Sequence, residues 1–356
     1  MAAAMTAAAD GSQRQMADVL TQVAVGQIES ELHRRRLEML PKEPHPHTHS
    51  CVMTLVIAVE DERDNLDVFN TVESLAGKYP IRVVAVQTTG QRAGDDLAAW
   101  VNAECEGKPS APICSEEVAI QGGVDSVDRI VSVVRGLLRA DLPVMLWWRG
   151  GTPHGDGLWN GLRPLCDRII VDSILFGDGA AALDTLRRLV NIAGKQTSVR
   201  DLNWERTAPW RAAIASCFDD HNVLALLPHI DRCAITYAAG NEKEQPSARA
   251  MLMAGWLVSR LPRLRGHSRT AAGKRWADVA SGRVVAIALT SSSCKASVML
   301  VRQPSPNGIE AEAHGESGKQ FRRWRFPAHT LTEAELLDGS LEALGSDAIF
   351  EAALDI

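Results

Sequence analysis

VMTLVIAV (Val52 to Val59) and LPVMLWW (Leu142 to Trp148) decide the fold. Each is an apolar run that does not alternate with polar residues. A strand with one face in water alternates; a strand covered on both faces does not. IRVVAV (Ile81 to Val86) and RIIVD (Arg168 to Asp172) have the same character, and Ile113 to Ile120 is a further extended stretch. Helical patterns lie between them. Leu66, Phe69, Val72 and Leu75 share one face, and Val127, Ile130, Val131, Val134, Leu137 and Leu138 mark a strongly amphipathic helix. A helix is expected at about Asp95 to Cys105, and Leu183, Leu186, Leu189 and Val190 indicate another. Strands alternating with helices at this spacing mean an α/β fold: a Rossmann-like, mostly parallel sheet with helices on both faces, over residues 51–200.

Beyond Arg200 the pattern changes. Helices are expected at Pro209 to Phe218 and Ala248 to Leu261, with an apolar stretch at Cys233 to Ala238 between them. Four strands follow at Val284 to Leu289, Ser297 to Arg302, Ile309 to Ala313 and Phe321 to Phe326. The links QPSPNG and HGESGK suit antiparallel hairpins. Helices at about Thr332 to Leu344 and Asp347 to Leu354 end the chain, the first opened by a capping box of Thr332 and Glu335. Residues 201–356 therefore read as a smaller α+β domain with antiparallel strands. Residues 1–50 stand apart as an appendage that packs on a body or partner and not in the core: a helix from about Met16 to Leu40, with Val19, Gln22, Val23, Gly26, Ser30 and Leu37 on its less polar side, then a Pro/His-rich linker. Its basic end, HRRR at His33 to Arg36, reads as a solvated or docking face.

At 356 residues the chain can bury a large core, and 46% apolar with 23% charged residues is ordinary for a globular protein. A net charge of −6 argues against a nucleic-acid partner, because phosphate neutralisation needs a basic surface. No apolar run approaches a membrane span, and MAAAMTAAADGSQRQMADVL lacks the basic-then-apolar pattern of a signal peptide. A cytoplasmic location without membrane contact is the expectation. Cys51, Cys105, Cys114, Cys166, Cys217, Cys233 and Cys294 form no C-x-x-C pair and read as reduced, mostly buried thiols.

Catalytic motifs are not found. A dinucleotide site needs a glycine-rich turn after the first strand, but Val59 is followed by EDERDNLD, whose carboxylates repel a pyrophosphate. GHSRTAAGKRW (Gly266 to Trp276) lacks P-loop spacing, and GESG at Gly315 sits in a hairpin link, not a nucleophile elbow. HPHTHS (His45 to Ser50) is interrupted by proline and has no carboxylate or cysteine near it, so it reads as linker. The expectation is no catalytic set, no cofactor and no metal site.

Two segments concentrate Trp and Arg. Trp147, Trp148, Arg149, Gly150 and Gly151 lie at the exit of the fourth strand, where ligands of parallel α/β folds bind. They can stack on a sugar or hold an anion, anchor a protein partner, or pack in the core. DLNWERTAPWR (Asp201 to Arg211) lies at the join of the halves and serves equally as a clamp between domains. Arg260, Arg263, Arg265, Arg269, Lys274 and Arg275, with Arg322, Arg323 and Arg325, form a basic run that is a solvated face or meets an acidic partner or a phosphate.

The first strand and helix, LPVMLWWRG, RIIVDS (Arg168 to Ser173), DLNWERTAPWR, MLMAGWLVSRL (Met251 to Leu261) and ELLDGSLEALGSDAIFEAAL occur in order over about residues 50 to 355. Together they resemble the OpcA family, assembly and activating subunits of glucose-6-phosphate dehydrogenase. The resemblance implies a non-catalytic partner that binds the dehydrogenase, as a hetero-oligomer, and promotes its active form. Trp147, Trp148, Arg149, Asp201, Trp204, Arg206, Trp210 and Arg211 are the expected partner-binding residues. The alternative is a sugar-phosphate-binding sensor or enzyme using the Trp147 to Gly151 exit. Some family members are tied to thioredoxin-type control through cysteines near the C-terminus; this chain has none after Cys294.

Overall fold

Neighbouring residues on a strand face opposite sides of its sheet, so Trp147 and Trp148 report on both faces at once. In a computed structural model of the chain, each is 1% exposed. Both faces of that strand are covered. The structure describes residues 20–39, 51–59, 65–76, 78–89, 97–108, 111–153, 155, 157–239, 245–273, 279–303, 308–342 and 345–355. Contacts group the chain into two units: residues 1–171 with 196–198, and residues 172–195 with 199–356.

The first unit is built on β1 (Thr21–Val23), β2 (Met53–Val59), β3 (Ile81–Thr89), β4 (Ala98–Lys108), β5 (Ala111–Gly123), β6 (Val144–Arg149) and β7 (Arg168–Val171); β8 (Ser198–Asp201) carries the chain into the second unit. The sheet order is β1-β4-β5-β3-β2-β6-β7-β8. The ladders from β5 through β3, β2 and β6 to β7 are parallel. From β5 onward this is the strand order of a doubly wound dinucleotide-type fold, with its switch point between β2 and β6. Helices α1 (Ile28–Met39), α2 (Asn65–Ala76), α3 (Val127–Leu137) and α4 (Gly157–Leu162) flank the sheet. The expected mostly parallel Rossmann-like sheet is present.

Two expectations are corrected in this unit. The sequence pattern of Asp95 to Cys105 predicts a helix, yet Ala98–Lys108 is β4, antiparallel to β5. Ala99, Val101 and Ala103 are buried, which is period two on one face. Three alanines in the stretch lend it a helical look that cross-strand pairing overrides. The described part of the N-terminal segment, residues 20–39, packs on the body and joins its sheet and core. Thr21–Val23 pairs antiparallel with β4, and the helix begins only at Ile28. Its buried face is Ile28 and Leu32, whereas Leu37 is exposed. HRRR divides: His33 and Arg34 are exposed, whereas Arg35 and Arg36 turn to the sheet. Arg36 pairs with Glu116, Arg35 donates to Asn102 at 3.1 Å, and Arg34 pairs with Glu31 and Glu38. Glu116 also accepts from Arg82 at 2.7 Å, and Arg82, itself 1% exposed, reaches Glu29 and donates to the Leu137 carbonyl at 2.8 Å. A buried arginine thus ties α1, β3, β5 and the end of α3 together.

The thiol expectation is corrected at one position. Cys114 is disulfide-bonded, and the residue opposite it across the β4–β5 ladder is Cys105. Cys166, Cys217 and Cys233 are free thiols, each pushed up to about 12, chiefly by burial.

The second unit carries β9 (Arg232–Ala238), β10 (Ser268–Gly273), β11 (Val284–Thr290), β12 (Ser297–Gln303), β13 (Gly308–His314) and β14 (Gln320–Pro327), ordered β10-β9-β11-β12-β13-β14. All ladders are antiparallel except β10 on β9. Strand β10 escaped the sequence reading because SRTAAG has no apolar run to announce it. Its helices are α5 (Gly179–Ala193), α6 (Leu202–Glu205), α7 (Ala208–Phe218), α8 (His221–Leu224), α9 (Ala248–Arg260), α10 (Glu333–Glu342) and α11 (Ala348–Leu354). Ile235, Ile287, Leu300 and Ile309 from the sheet pack with Trp210, Met253 and Leu257 in one core. The capping box forms, with Glu335 N donating to Thr332 Oγ1 at 3.2 Å and Thr332 N to Glu335 Oε2 at 2.7 Å. In the HGESGK link Gly318 has φ +82°, a left-handed value that side chains disfavour. The QPSPNG link falls largely, and HPHTHS wholly, outside the described residues.

Residues 172–195, α5 included, group with the second unit, whereas the sequence reading set its boundary at 200. The cause is packing: α5 lies on α9, and Gly179 N donates to Pro246 O at 3.0 Å. A Cβ at Gly179 would stand 2.3 Å from that oxygen. Gly179→Ala is expected to cost about 1–3 kcal/mol in urea unfolding. Gly339→Ala, where no atom lies within 4 Å, is expected to be neutral or stabilising, because alanine is the better helix former. Arg82→Ala is expected to lower stability by about 3 kcal/mol or more, since it leaves Glu116 buried with half its partners.

Candidate functional site

β8 ends at Asp201, whose side chain accepts from Asn203 N at 3.1 Å and so caps α6. The same carboxylate accepts from Ser173 N at 2.9 Å and Ser173 Oγ at 2.8 Å. Asn203 Nδ2 donates to Ser173 Oγ at 3.2 Å, and Arg249 Nε donates to Asn203 Oδ1 at 3.0 Å. Beside this chain of bonds, Arg206 grips Asp172 with both terminal nitrogens, each at 2.7 Å. A two-pronged arginine–carboxylate pair fixes orientation as well as charge. Burial, together with the neighbouring Asp172, pushes the fully enclosed Asp201 carboxyl up to about 7, against its three hydrogen bonds.

The rest of the segment builds a second joint. Trp204 Nε1 donates to Asp347 Oδ2 at 3.0 Å, and Arg200 Nη1 lies 3.1 Å from the same oxygen. The other oxygen of Asp347 caps α11 by accepting from Ile349 N and Phe350 N, both at 3.0 Å. Trp204 meets Phe350 with ring centroids 5.7 Å apart, and the Arg211 guanidinium stacks 3.7 Å above the Trp204 ring. Arg211 is steered there by Thr207, whose Oγ1 accepts from Arg211 Nε at 3.0 Å. DLNWERTAPWR and the terminal helix are thus one packing unit within the second unit.

Of the expected partner-binding residues, the structure brings Asp201, Trp204, Arg206, Trp210 and Arg211 together. Trp204 and Trp210 are each 1% exposed and Asp201 is wholly buried, so these three shape the site from inside. Arg206 and Arg211 remain partly exposed. At the strand exit, Trp148 packs edge-on against Trp159 at 5.3 Å and donates to Gly151 O at 3.1 Å. Arg149 lies over the ring of Trp147 at 4.9 Å and is the partly exposed side chain of the three. Neither indole is open to a sugar, although the exit does stand at the switch point of the sheet. The basic run splits: Arg322 pairs with Asp220 at 2.6 Å, Arg323 pairs with Glu310, and Lys274 and Arg275 lie outside the described residues.

The sequence reading missed Asp172, Ser173, Asn203, Arg249 and Asp347. RIIVDS already held the first two; nothing local connects Asn203, Arg249 or Asp347 to them. Among the described residues, no group of three or more His, Cys, Asp or Glu is placed to hold a metal ion, and no helix is long and apolar enough to cross a membrane.

Residues 72–188 match the family model described as the glucose-6-phosphate dehydrogenase subunit N-terminal domain, and residues 197–354 match that of its C-terminal domain. The chain belongs to the OpcA family. A protein of Nostoc punctiforme called "Putative OxPP cycle protein OpcA" is 30% identical over 316 residues, covering 80% of this chain and 66% of its own length. A protein of the same description from Synechocystis is 32% identical over 194 residues, covering 53% of this chain and 38% of its own length. The chain thus spans less than two thirds of these relatives. Among solved structures, glucose-6-phosphate 1-dehydrogenase from Mycobacterium avium aligns with a TM-score of 0.46 at 11% identity, covering 85% of this chain and 87% of that one. A 3-ketoreductase from Actinomadura kijaniata aligns with a TM-score of 0.45 at 9% identity, covering 85% and 93%.

Asp201 gives the site a pH signature. Its folded-state pKa of about 7 lies above the ordinary 3.8, so the folded chain holds this proton more tightly than the unfolded chain. The stability it contributes is fully present below the ordinary value and is lost as pH rises through about 7. Asp201→Asn removes the titration. The wild-type melting temperature, measured relative to that variant, is expected to fall between pH 5 and pH 8.

Proposed function

We propose that this chain is a non-catalytic assembly and activating subunit of glucose-6-phosphate dehydrogenase, serving the oxidative pentose phosphate cycle. One observation carries this: both family models match, in order, across most of the chain, and both are described as domains of a glucose-6-phosphate dehydrogenase subunit. The build of the Asp201 to Arg211 segment is consistent with such a role. Its residues are spent on hydrogen bonds and stacking within the second unit, which suits a rigid platform for a partner. Arg149, Arg206 and Arg211 keep partial exposure, as residues contributing to a partner contact must; Trp147 lies under Arg149 and Trp204 under Arg211, while Trp148, Trp210 and Asp201 are buried beneath. Tryptophan and arginine are the residue types on which interface energy concentrates.

The test is the activity of the same organism's glucose-6-phosphate dehydrogenase across a range of glucose 6-phosphate, with and without this chain, with column elution of the mixture in parallel. Stimulation and co-elution, with no turnover by the chain alone, are the expected outcome. Separate elution without stimulation overturns the proposal. Within a complex that does form, Arg211→Ala and Arg206→Ala are expected to weaken binding by about tenfold or more each. Affinities unchanged in both would make the segment structural only.

A further inference from the structure

Four arginines of the second unit surround one cavity. Arg206, Arg249, Arg283 and Arg302 line a space of about 240 Å³ together with Trp210 and Thr330. Each comes from a different place: the turn after α6, the first turn of α9, the residue before β11, and β12. No stretch of sequence announces the group.

Their partners do not balance their charge. Asp172 holds Arg206 at 2.7 Å. Among the described residues, Arg249, Arg283 and Arg302 make their hydrogen bonds to neutral oxygens. Arg249 Nε donates to the Asn203 amide oxygen at 3.0 Å, Arg283 Nη2 to Thr330 Oγ1 at 2.8 Å, and Arg302 Nε to the Val284 carbonyl at 3.3 Å. The Arg302 guanidinium also lies 5.7 Å from the centre of the Trp210 ring. Burial, reinforced by Arg206, Arg283 and Arg302 and only partly offset by Asp172, lowers Arg249 to about 10, and burial with Arg283 lowers Arg302. An arginine kept only for packing is ordinarily matched to a carboxylate, because a buried unpaired charge is costly. Here buried Arg249 and the partly exposed Arg283 and Arg302 line the same open space. An anion in that space offsets their charge, and the planar guanidinium fork is the side chain best matched to phosphate oxygens.

A second cavity, of about 310 Å³, shares Ile174, Arg249 and Ser281 with the first and is further lined by Asn203, Gln245 and Ser247. Polar side chains there suit hydroxyl groups. Each space is close to or below the lower end of small-molecule pockets, about 300–1,000 Å³, which fits a compact ligand and not a dinucleotide. We propose that the arginine cavity binds a small phosphate monoester with a hydroxylated body, its phosphate held by Arg249, Arg283 and Arg302. The concave form favours a small molecule over a nucleic-acid backbone or a lipid surface. The site stands whether or not the chain partners a dehydrogenase, because its ligand is measured on the chain alone.

The experiment is calorimetric titration and thermal melting of the full chain with inorganic phosphate, glycerol 3-phosphate and glucose 6-phosphate. Glycerol, glucose and potassium chloride at matched ionic strength serve as controls. Saturable binding of the phosphates, with a rise in melting temperature absent from the controls, is expected. Arg302→Gln and Arg283→Gln are expected to weaken it by about tenfold or more, whereas Arg322→Gln, remote on β14, leaves it unchanged. Arg283 is partly exposed before β11, so its variant carries the test should Arg302→Gln fail to fold. No saturable response at millimolar phosphate overturns the proposal, as does a response equal in all variants and reproduced by potassium chloride.

Discussion

The buried Asp201 carboxylate is the constraint on which the second unit's site depends. A fully enclosed carboxyl is costly unless donors surround it, and here Ser173 supplies two and Asn203 one. Those bonds lock the chain after β7 to the chain after β8. Ser173 is thereby placed to accept from Asn203, and Asn203 to accept from Arg249. The adjoining residues Asp172 and Arg206 close the same junction with two more bonds. Remove the carboxylate and three of the bonds that define the register between these two turns are lost, leaving Asn203 on Ser173 and the Asp172–Arg206 pair.

The same logic of one acid serving several partners recurs at Asp347. One oxygen takes the Trp204 indole N–H and an Arg200 nitrogen, while the other caps the terminal helix. The segment Asp201 to Arg211 and the chain's end therefore cannot be considered apart, though more than a hundred residues separate them in sequence. In the first unit, Glu116 plays a similar part for Arg36 and Arg82. At Glu116 a buried charge, and at Asp347 a partly buried one, is tolerated because several donors share it.

Much of the first unit was legible because fully covered strands write themselves as unbroken apolar runs. Met53–Val59 and Val144–Arg149 lie almost where those runs stand. Residues with weaker side-chain signals were misread. Ala98–Lys108 is a strand because β5 offers it a partner, and Ser268–Gly273 because β9 does. The disulfide at Cys114 was hidden for the same reason, since it lies in the β4–β5 ladder, whose register no local motif announces. The Trp- and Arg-rich segment divided similarly: the sequence marked it as notable, and only burial distinguished Trp204 and Trp210 as core from the partly exposed Arg211.

What the sequence determined by itself was local or periodic: the alternation of strands and helices, the capping box at Thr332, the hairpin link at Gly318, and the motifs that place the chain in its family. These depend on residues close in the chain, where side-chain period and backbone preference act directly. Only the tertiary structure decided which charges meet. Arg206, Arg249, Arg283 and Arg302 share a cavity because α6, α9, β11 and β12 fold together, and Arg82 finds Glu116 because β3 pairs with β5. Electrostatic contacts depend on distance in space and on burial, and neither is written in the order of the residues.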